Sequence, residues 1–464
     1  MNRGLFAIAL LALLPACARF EPRPLSSAES AASLENRSLD SPGLKSFLEQ
    51  NLKRDFTNWP VARWDLDMLT LAAFYYQPAL EIARAQLAVA KGGETTAGQR
   101  PNPTLTITPG YDTTPSSLSP WFPLTMLDVM LETAGKRRFR KAHAGELAEG
   151  SRLNIATVAW QVRSELRSNV VDFSAVTLRE NLLRRQVLLQ EQIVNLQQEQ
   201  MKAGAISSSE TFIFRIALQK AQLDLADVQR QLVEIRSRLA EAIGMPVRAL
   251  DRVEIAFDFG REPGGTAELT SAEARRAALQ SRTDILAALA EYAASQASLQ
   301  LEIAKQYPDI HLQPGYQYDQ GDNKWSLGIV LDLPIFHQNQ GPIAEAKARR
   351  EEAAARFNAL QARVLAELDR SVEVFRINLQ NIANLRALAE IQTKRRELIE
   401  AQLKAGAVEP LDLLNVQVEA AAADVAQLDG QTRLQQAIGA LESAVQLPFP
   451  LPAAIFESRR TDAH

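Results

Sequence analysis

The chain has 464 residues, 46% of them apolar and 6% aromatic, and its 51 basic and 55 acidic side chains leave a formal net charge of -4. This composition excludes collagen-like, disordered and disulfide-rich small proteins, and the balanced charge gives no argument for nucleic acid or an acidic substrate as a partner. Beyond the N-terminus, no window supplies the roughly 18 consecutive apolar residues of a membrane-spanning helix, which excludes helical membrane proteins but not β-barrels, whose strands alternate.

The N-terminus has the pattern of a secretory signal peptide, which we place at residues 1–17. Arg3 precedes an apolar run over 5–14, too short to span a membrane. Cys17, the one cysteine of the chain, follows Leu-Pro-Ala and resembles the lipidated cysteine of a bacterial lipobox. With Ala18 after it, this resemblance implies sorting to the outer membrane. The alternative is a simple cleaved signal peptide with an incidental cysteine, and either case excludes disulfides from the mature protein.

The sequence repeats itself at an offset near 205 residues. The first set comprises Pro103, Pro109, Gly110 and Tyr111, and its counterparts are Pro308, Pro314, Gly315 and Tyr316. Further along, the Lys-Ala-Gly-Ala sequence at 202–205 returns at 404–407. We therefore predict two structural repeats, 64–250 and 269–448, joined by a linker at 251–268. An N-terminal extension at 18–63 and a C-terminal tail at 449–464 flank them.

Within each repeat the predicted order is helix, two strands, very long helix, tight turn and long helix. Neither 151–203 nor 343–405 contains glycine or proline. At 1.5 Å per residue, unbroken helices over these stretches reach roughly 80 and 95 Å. Gly204 and Gly406 suit the left-handed conformation after a helix C-terminus, so we expect each to turn a long helix back on the next one.

The strands are predicted to have one apolar face. Apolar residues alternate in 104–108 and again at Trp325, Leu327, Ile329, Leu331 and Leu333, and aromatic residues lie near the strand ends. Four strands cannot close a barrel, and open edges in lipid leave backbone groups unpaired, so a membrane location requires oligomers. The sequence does not decide between a barrel of eight strands in a dimer and one of twelve strands in a trimer. The alternative to a membrane barrel is two hairpins packed on a soluble core.

This arrangement resembles the TolC family of outer-membrane efflux ducts over about 64–448. Two motifs are similar to its CzcC branch, which serves heavy-metal exporters of the RND type. The first includes Glu132, Gly135, Lys136 and Arg137; the second includes Pro334, Phe336, Asn339, Gln340 and Gly341, with His337 and Gln338 departing from the usual pattern.

The resemblance implies a mainly α fold with a membrane β-barrel: a homotrimer with a TolC-like α-helical barrel and a 12-stranded β-barrel, four strands per protomer. It also implies an outer-membrane, lipid-anchored protein of a Gram-negative bacterium with a long periplasmic extension. The implied partners are a periplasmic adaptor protein, an inner-membrane RND pump and outer-membrane lipid. The implied function is passive export of heavy-metal cations of the cobalt, zinc, cadmium, nickel or copper class. Two alternatives are a duct for drugs or secreted proteins and a periplasmic coiled-coil lipoprotein scaffold.

The same resemblance places the hairpin tips, which contact the adaptor, at 202–210 and 404–412, including Lys202, Gly204, Lys404 and Gly406. Asp412 matches the acidic residue that forms a ring in the periplasmic entrance, and Glu210 occupies the equivalent place in the first repeat. A carboxylate ring favours cations. An acidic residue just after a turn also favours a helix N-terminus, which is the simpler interpretation.

No enzyme, cofactor or resident metal is predicted. The four histidines, His143, His311, His337 and His464, have no ligand spacing, and there is neither a phosphate-binding glycine loop nor a nucleophile elbow. A basic cluster at 136–141 follows the first strand pair. It either forms a solvated face, which is the favoured interpretation, or contacts lipid phosphates or acidic neighbours.

Overall fold

The computed structural model describes residues 19–114, 119–251, 253–260, 269–447 and 451–456. The predicted signal peptide, Cys17, His464 and half of the predicted linker lie outside these residues. The helices are α1 (Ser27–Glu35), α2 (Pro42–Leu52), α3 (Leu66–Tyr76), α4 (Pro78–Gly98), α5 (Lys136–Lys202), α6 (Ser208–Ile243), α7 (Ala272–Ser281), α8 (Thr283–Ala304), α9 (Gln340–Lys404) and α10 (Pro410–Val445). The strands are β1 (Arg63–Trp64), β2 (Thr104–Thr108), β3 (Leu124–Leu131), β4 (Glu254–Ile255), β5 (Ile310–Asp319) and β6 (Asp322–Leu331).

Each half contains the predicted succession of helix, strand pair, very long helix and long helix. The two longest helices, α5 and α9, contain 67 and 65 residues, so each is roughly 100 Å long at 1.5 Å per residue. Both begin earlier than the glycine- and proline-free stretches suggest, because Gly145, Gly150 and Pro342 are accommodated inside or at the start of a helix. Among the described helices, none combines the length and the apolar character needed to cross a lipid bilayer.

The two strand pairs join into one antiparallel sheet of order β2-β3-β5-β6. The central pairing connects the halves, with Leu131 opposite Ile310 and Val129 opposite Leu312. The alternating pattern predicts a strand through Leu333, and that prediction is wrong for the isolated subunit. β6 ends at Leu331, which pairs with Ile310, the first residue of β5, so the chain offers no partner strand beyond this point.

The two larger buried apolar clusters hold most of the helices together. The first surrounds α3 and includes Leu44, Trp64, Leu69, Leu166 and Leu239, each no more than 1% exposed. Residues of the predicted N-terminal extension therefore contribute to the core of the first half. The second cluster lies between α7, α8, α9 and α10 and includes residues such as Ile285, Val364 and Leu441.

Buried charges join the two halves where α5 packs against α10. Arg163 lies 3.0 Å from a carboxylate oxygen of Glu442, and Arg167 lies 3.4 Å from the same oxygen. Arg167 also donates to the backbone carbonyl of Gln435 at 2.5 Å. Burial lowers the pKa of Arg167, while the Glu442 carboxylate opposes that shift. One carboxylate thus holds two guanidinium groups in a nearly solvent-free contact.

Candidate functional site: the sheet, the strand-to-helix junctions and the hairpin tips

One face of the four-stranded sheet is apolar and exposed to the outside of the subunit. Trp325, Leu327 and Ile329 of β6 are 80%, 68% and 63% exposed, and Leu105 and Ile107 of β2 are 59% and 63% exposed. The register places Trp325 opposite Tyr316 and Leu327 opposite Pro314, so these side chains lie on the same face. An apolar patch that extends across four strands marks a contact with lipid or protein.

The opposite face is more polar. Thr104, Thr106 and Thr108 lie on it in β2, because successive side chains of a strand point to opposite faces. On the same face, Nδ1 of His311 lies 3.0 Å from a carboxylate oxygen of Asp128. The sheet therefore separates an apolar side from a side that suits water.

The first motif forms the junction between β3 and α5. Gly135 precedes the helix with φ of 74°, a left-handed conformation in which glycine avoids the strain that a Cβ causes. The Nζ of Lys136 donates to the carbonyl of Tyr307 at 2.7 Å and lies 2.8 Å from Asp309. The backbone N–H of Thr133 donates to the same Asp309 carboxylate at 2.9 Å. The motif thus fixes the end of β3 to the start of β5.

Two further cations of the basic cluster also make internal contacts. Arg140 forms a bidentate pair with Glu132, whose hydrogen bond raises the pKa of the Arg140 guanidinium against the effect of partial burial. Arg137 donates to the carbonyl of Gly98 at 2.7 Å. The predicted contact with acidic neighbours is confirmed for Arg140, which pairs with Glu132, and for Lys136, which lies beside Asp309. The other two interpretations, a solvated face and contact with lipid phosphates, are wrong for Lys136, which is buried. Lys136 makes its contacts inside the subunit because three chain segments, 133–137, 307–309 and the end of α4 at Gly98, meet at this point.

The second motif forms the equivalent junction between β6 and α9. Asn339 precedes the helix with φ of 60°, matching Gly135, since asparagine also tolerates the left-handed region. Its side-chain amide donates to the backbone carbonyl of Glu302 at 2.7 Å and to its carboxylate at 2.9 Å. Partial burial favours a higher pKa for Glu302, but hydrogen bonds from Lys305 and Asn339 outweigh it and leave the pKa below its ordinary value.

The remaining residues of the second motif lie around a cleft. Gln340 accepts a hydrogen bond from the backbone of Gln338 at 2.9 Å, and Gly341 lies in the first turn of α9. Pro334 is partly buried, whereas Phe336 is 99% exposed. A cleft of about 650 Å³ lies beside this loop and is lined by charged groups of the first junction and by apolar residues of the second.

The hairpin tips have the same backbone geometry in both halves. Gly204 and Gly406 adopt the left-handed conformation, with φ of 74° and 72°. The N–H of Gly204 donates to Met201 at 3.0 Å, and that of Ala205 to Gln200 at 2.9 Å, which is a Schellman motif. Gly406 and its successor repeat these bonds at the same distances. Lys202 and Lys404 end their helices, where a positive charge complements the helix dipole.

The acidic residues at the tips interact with helix N-termini. The Asp412 carboxylate accepts a hydrogen bond from the backbone N–H of Glu409 at 3.0 Å. Glu210 lies in the first turn of α6 and accepts a hydrogen bond from the hydroxyl of Ser207 at 2.9 Å. Within one subunit both residues therefore perform the local role that their position after a turn suggests.

Among the described residues, no group of three or more histidine, cysteine or acidic side chains lies close enough together to hold a metal ion. His143 contacts the carbonyl of Ala294 at 2.9 Å, and His337 lines the junction cleft. Sequence reasoning missed Asp309 and Glu302, the two acidic residues that fix the junctions. No local pattern distinguishes them, because the partner of Asp309 is Lys136, in the other half of the chain.

Comparison with known proteins agrees with this architecture. The sequence profile of the outer membrane efflux protein family matches residues 274–445. The chain is 27% identical over 322 residues to the pyoverdine export outer membrane protein OpmQ of Pseudomonas aeruginosa. This alignment covers 66% of this chain and 65% of OpmQ. The chain is also 25% identical over 279 residues to the cobalt-zinc-cadmium resistance protein CzcC of Cupriavidus metallidurans. That alignment covers 59% of this chain and 64% of CzcC. The matches thus span slightly less than two thirds of these relatives.

The fold is that of a solved outer-membrane channel. The CmeC outer membrane channel of Campylobacter jejuni superposes with a TM-score of 0.68 at 15% identity, covering 92% of this chain and 93% of that one. The predicted TolC-like fold, with long helical hairpins attached to antiparallel strands, is confirmed. Over residues 274–445 the chain is similar to the outer membrane efflux protein family, and both relatives named above are outer-membrane or metal-resistance proteins to which it is similar in sequence.

Proposed function

We propose that this protein is the outer-membrane channel of a tripartite RND-type efflux system, a passive conduit that carries heavy-metal cations from the periplasm to the exterior. The observation that carries the proposal is the attachment of an amphipathic four-stranded sheet to two helical hairpins roughly 100 Å long. Lipid covers the apolar face of the sheet, and the hairpins reach across the periplasm.

The proposed assembly is a homotrimer. One subunit supplies four strands, and both edge strands of its sheet, β2 and β6, have one unpaired side. Such edges are costly in lipid because their N–H and C=O groups have no water to bond. Three copies give twelve strands and a closed wall. In this assembly the hairpin tips meet the periplasmic adaptor, which connects the channel to the RND pump, and a lipidated Cys17 adds a second membrane anchor.

Asp412 is proposed to form the entrance ring, with Glu210 as its counterpart in the first repeat. In one subunit, Asp412 uses one carboxylate oxygen for the Glu409 N–H. Three copies around an axis give three negative charges in a narrow passage, which attracts cations and repels anions.

The substitution Asp412→Asn separates the two roles of this residue. The asparagine oxygen still accepts the Glu409 N–H, so the helix start is kept while the charge is lost. We expect reduced cation selectivity in planar lipid bilayers. Glu409→Gln, a charge loss at the neighbouring exposed position, serves as the control. Unchanged selectivity in Asp412→Asn contradicts the ring.

The metal substrate class is supported by the similarity to CzcC and by the two junction motifs. A second candidate, export of an organic molecule, is favoured by the similarity to the pyoverdine exporter OpmQ. Deletion of the gene followed by growth on zinc, cobalt, cadmium, nickel and copper, in parallel with dyes, detergents and siderophores, distinguishes them. Selective metal sensitivity supports the first candidate, and loss of siderophore export with normal metal tolerance supports the second.

A further inference from the structure

The polar face of the sheet carries a methionine beside a histidine. Asp128 and His311 lie on this face and contact each other. Met130 shares the face because it lies two residues after Asp128 in the same strand. The register of β3 and β5 places Met130 directly opposite His311. A sulfur donor and a nitrogen donor are thus neighbours on the side of the sheet that suits water.

The type of strand pairing brings these two side chains close together. Tyr318 of β5 donates to the carbonyl of Pro123, just before β3, at 3.2 Å, so this position is of the hydrogen-bonded type. The two types alternate along an antiparallel ladder, and Met130 and His311 lie an odd number of positions further along. They therefore form a non-hydrogen-bonded pair, in which Cα atoms are about 4.5 Å apart and side chains are closest.

Asp128 leaves one nitrogen of His311 available for a ligand. Nδ1 of His311 lies 3.0 and 3.1 Å from the two carboxylate oxygens of Asp128. An ionised carboxylate only accepts hydrogen bonds, so Nδ1 carries the proton, and Nε2 of the neutral imidazole keeps its lone pair. Histidines that bind metals are held in this way by a carboxylate on their other nitrogen. Asp128 is therefore a positioning residue, and Nε2 is the donor atom.

Both donor residues open into the cleft at the strand-to-helix junctions. Met130 and His311 line this cleft of about 650 Å³, whereas Asp128 does not. The imidazole therefore presents to the cleft the edge that faces away from Asp128, and this edge carries Nε2. An ion in the cleft can reach both the Met130 sulfur and the His311 nitrogen.

The charges around the cleft favour a cation. Asp332 and His337 also line it, and the carboxylate of Asp332 forms no ion pair with another described residue. A carboxylate near two neutral donors attracts a positive ion. The lysines and arginine on the lining do not cancel this effect, because each is already paired with a carboxylate: Lys136 with Asp309, Arg140 with Glu132, and Lys305 with Glu302.

We propose that Sδ of Met130 and Nε2 of His311 bind a monovalent soft metal ion, copper(I) or silver(I). The inference rests on the proposed channel, in which the polar face lines the passage, and deepens it by naming the class of ion and its site. A thioether selects monovalent copper, whereas zinc usually takes three or four nitrogen, oxygen or thiolate ligands. Two donors hold an ion weakly enough for it to leave again, as a conduit requires.

Titration of the purified full chain in detergent with silver nitrate, in chloride-free buffer, tests the site. We expect Met130→Leu and His311→Gln each to lose one bound silver ion per chain. Met126→Leu is the matched control, because Met126 lies on the same face of the same strand but opposite Gly315, and it is expected to bind silver as the parent protein does. Any silver held by Cys17 is common to all variants. Equal binding by the parent protein, Met130→Leu and His311→Gln overturns the proposal.

The role of Asp128 has its own readout. Nitrogen NMR of the metal-free protein, labelled at histidine, is expected to show His311 protonated at Nδ1. Asp128→Asn, whose amide donates as well as accepts, is expected to populate the form protonated at Nε2 and to weaken silver binding about 10- to 100-fold. Unchanged binding, or weaker binding with an unchanged tautomer, overturns the positioning role.

Growth of the deletion strain on silver, copper, zinc, cobalt and cadmium separates this inference from the proposed function. Sensitivity to silver and copper, together with the predicted loss of bound silver in Met130→Leu and His311→Gln, supports both. A deletion strain sensitive to zinc or cobalt, whose purified protein binds no silver at this site, overturns the site and leaves the metal channel intact. A strain that tolerates every metal, although the purified protein binds silver as predicted, overturns the proposed function and leaves the site.

Discussion

The buried ion pair at the first junction offers a quantitative test of how the two halves are held together. Lys136 and Asp309 lie 2.8 Å apart, with side chains 9% and 16% exposed. Lys136→Met retains the apolar stem but removes the charge, leaving the Asp309 carboxylate with the Thr133 N–H and the Tyr307 carbonyl without its donor from Nζ. Removing one partner of a fully buried pair costs about 3–5 kcal/mol.

We expect a smaller loss here, about 2–3 kcal/mol, because water still reaches part of Asp309. The assay is native-state hydrogen exchange at the Thr133 amide, which the Asp309 carboxylate protects. This loss corresponds to roughly 30- to 150-fold faster exchange when the junction opens. The double variant Lys136→Met/Asp309→Asn removes the uncompensated charge while its amide oxygen still accepts from Thr133, so most of the protection is expected to return.

The matched control is the pair Arg356–Glu352 on α9, whose side chains are 74% and 57% exposed. Glu352→Gln is expected to cost less than about 0.5 kcal/mol, because exposed ion pairs contribute little. Exchange at the Thr133 amide that changes no more in Lys136→Met than in this control contradicts a stabilising role for the buried pair. Exchange in the double variant as fast as in Lys136→Met alone contradicts the cost assigned to the unpaired Asp309 charge.

Three further predictions concern the hairpin tip, the second junction and the buried charges between the halves. Gly204→Ala places a side chain at φ of 74°, so we expect it to destabilise the tip by about 1–2 kcal/mol, measured by local proteolysis. The control is Gly92→Ala, inside α4 with open space around it, which is expected to stabilise its helix by up to about 1 kcal/mol. The pKa of Glu302 is lowered in the folded protein, so its stabilising effect on Asn339 is complete above the pKa that Glu302 has in the unfolded chain and disappears as the pH falls through its pKa in the folded protein. Glu302→Gln is expected to abolish this pH dependence of hydrogen exchange at the start of α9. An unchanged response to acid in this variant contradicts the role of Glu302. Glu442→Gln leaves two buried guanidinium groups without their shared carboxylate, so we expect it to lower the free energy of unfolding by about 3–5 kcal/mol. A thermal unfolding midpoint equal to that of the parent protein contradicts the neutralising role of Glu442.

The sequence by itself determined the local elements and their repetition. Alternating apolar residues marked β2, the absence of glycine and proline marked the long helices, and Gly204 and Gly406 marked the turns that join them. These features depend on side chains a few residues apart, so a short window of sequence contains the physical cause. The repeat offset added the expectation that both halves share one plan.

Only the tertiary structure decided which distant groups meet. The pairing of β3 with β5, the capture of Lys136 by Asp309 and the contact of Asn339 with Glu302 join segments that are far apart in the chain. No propensity or spacing identifies such partners, because their proximity depends on how the whole chain packs. The end of β6 at Leu331 has the same origin: Leu333 has the pattern of a strand residue, but a strand continues only where a neighbouring strand accepts its hydrogen bonds.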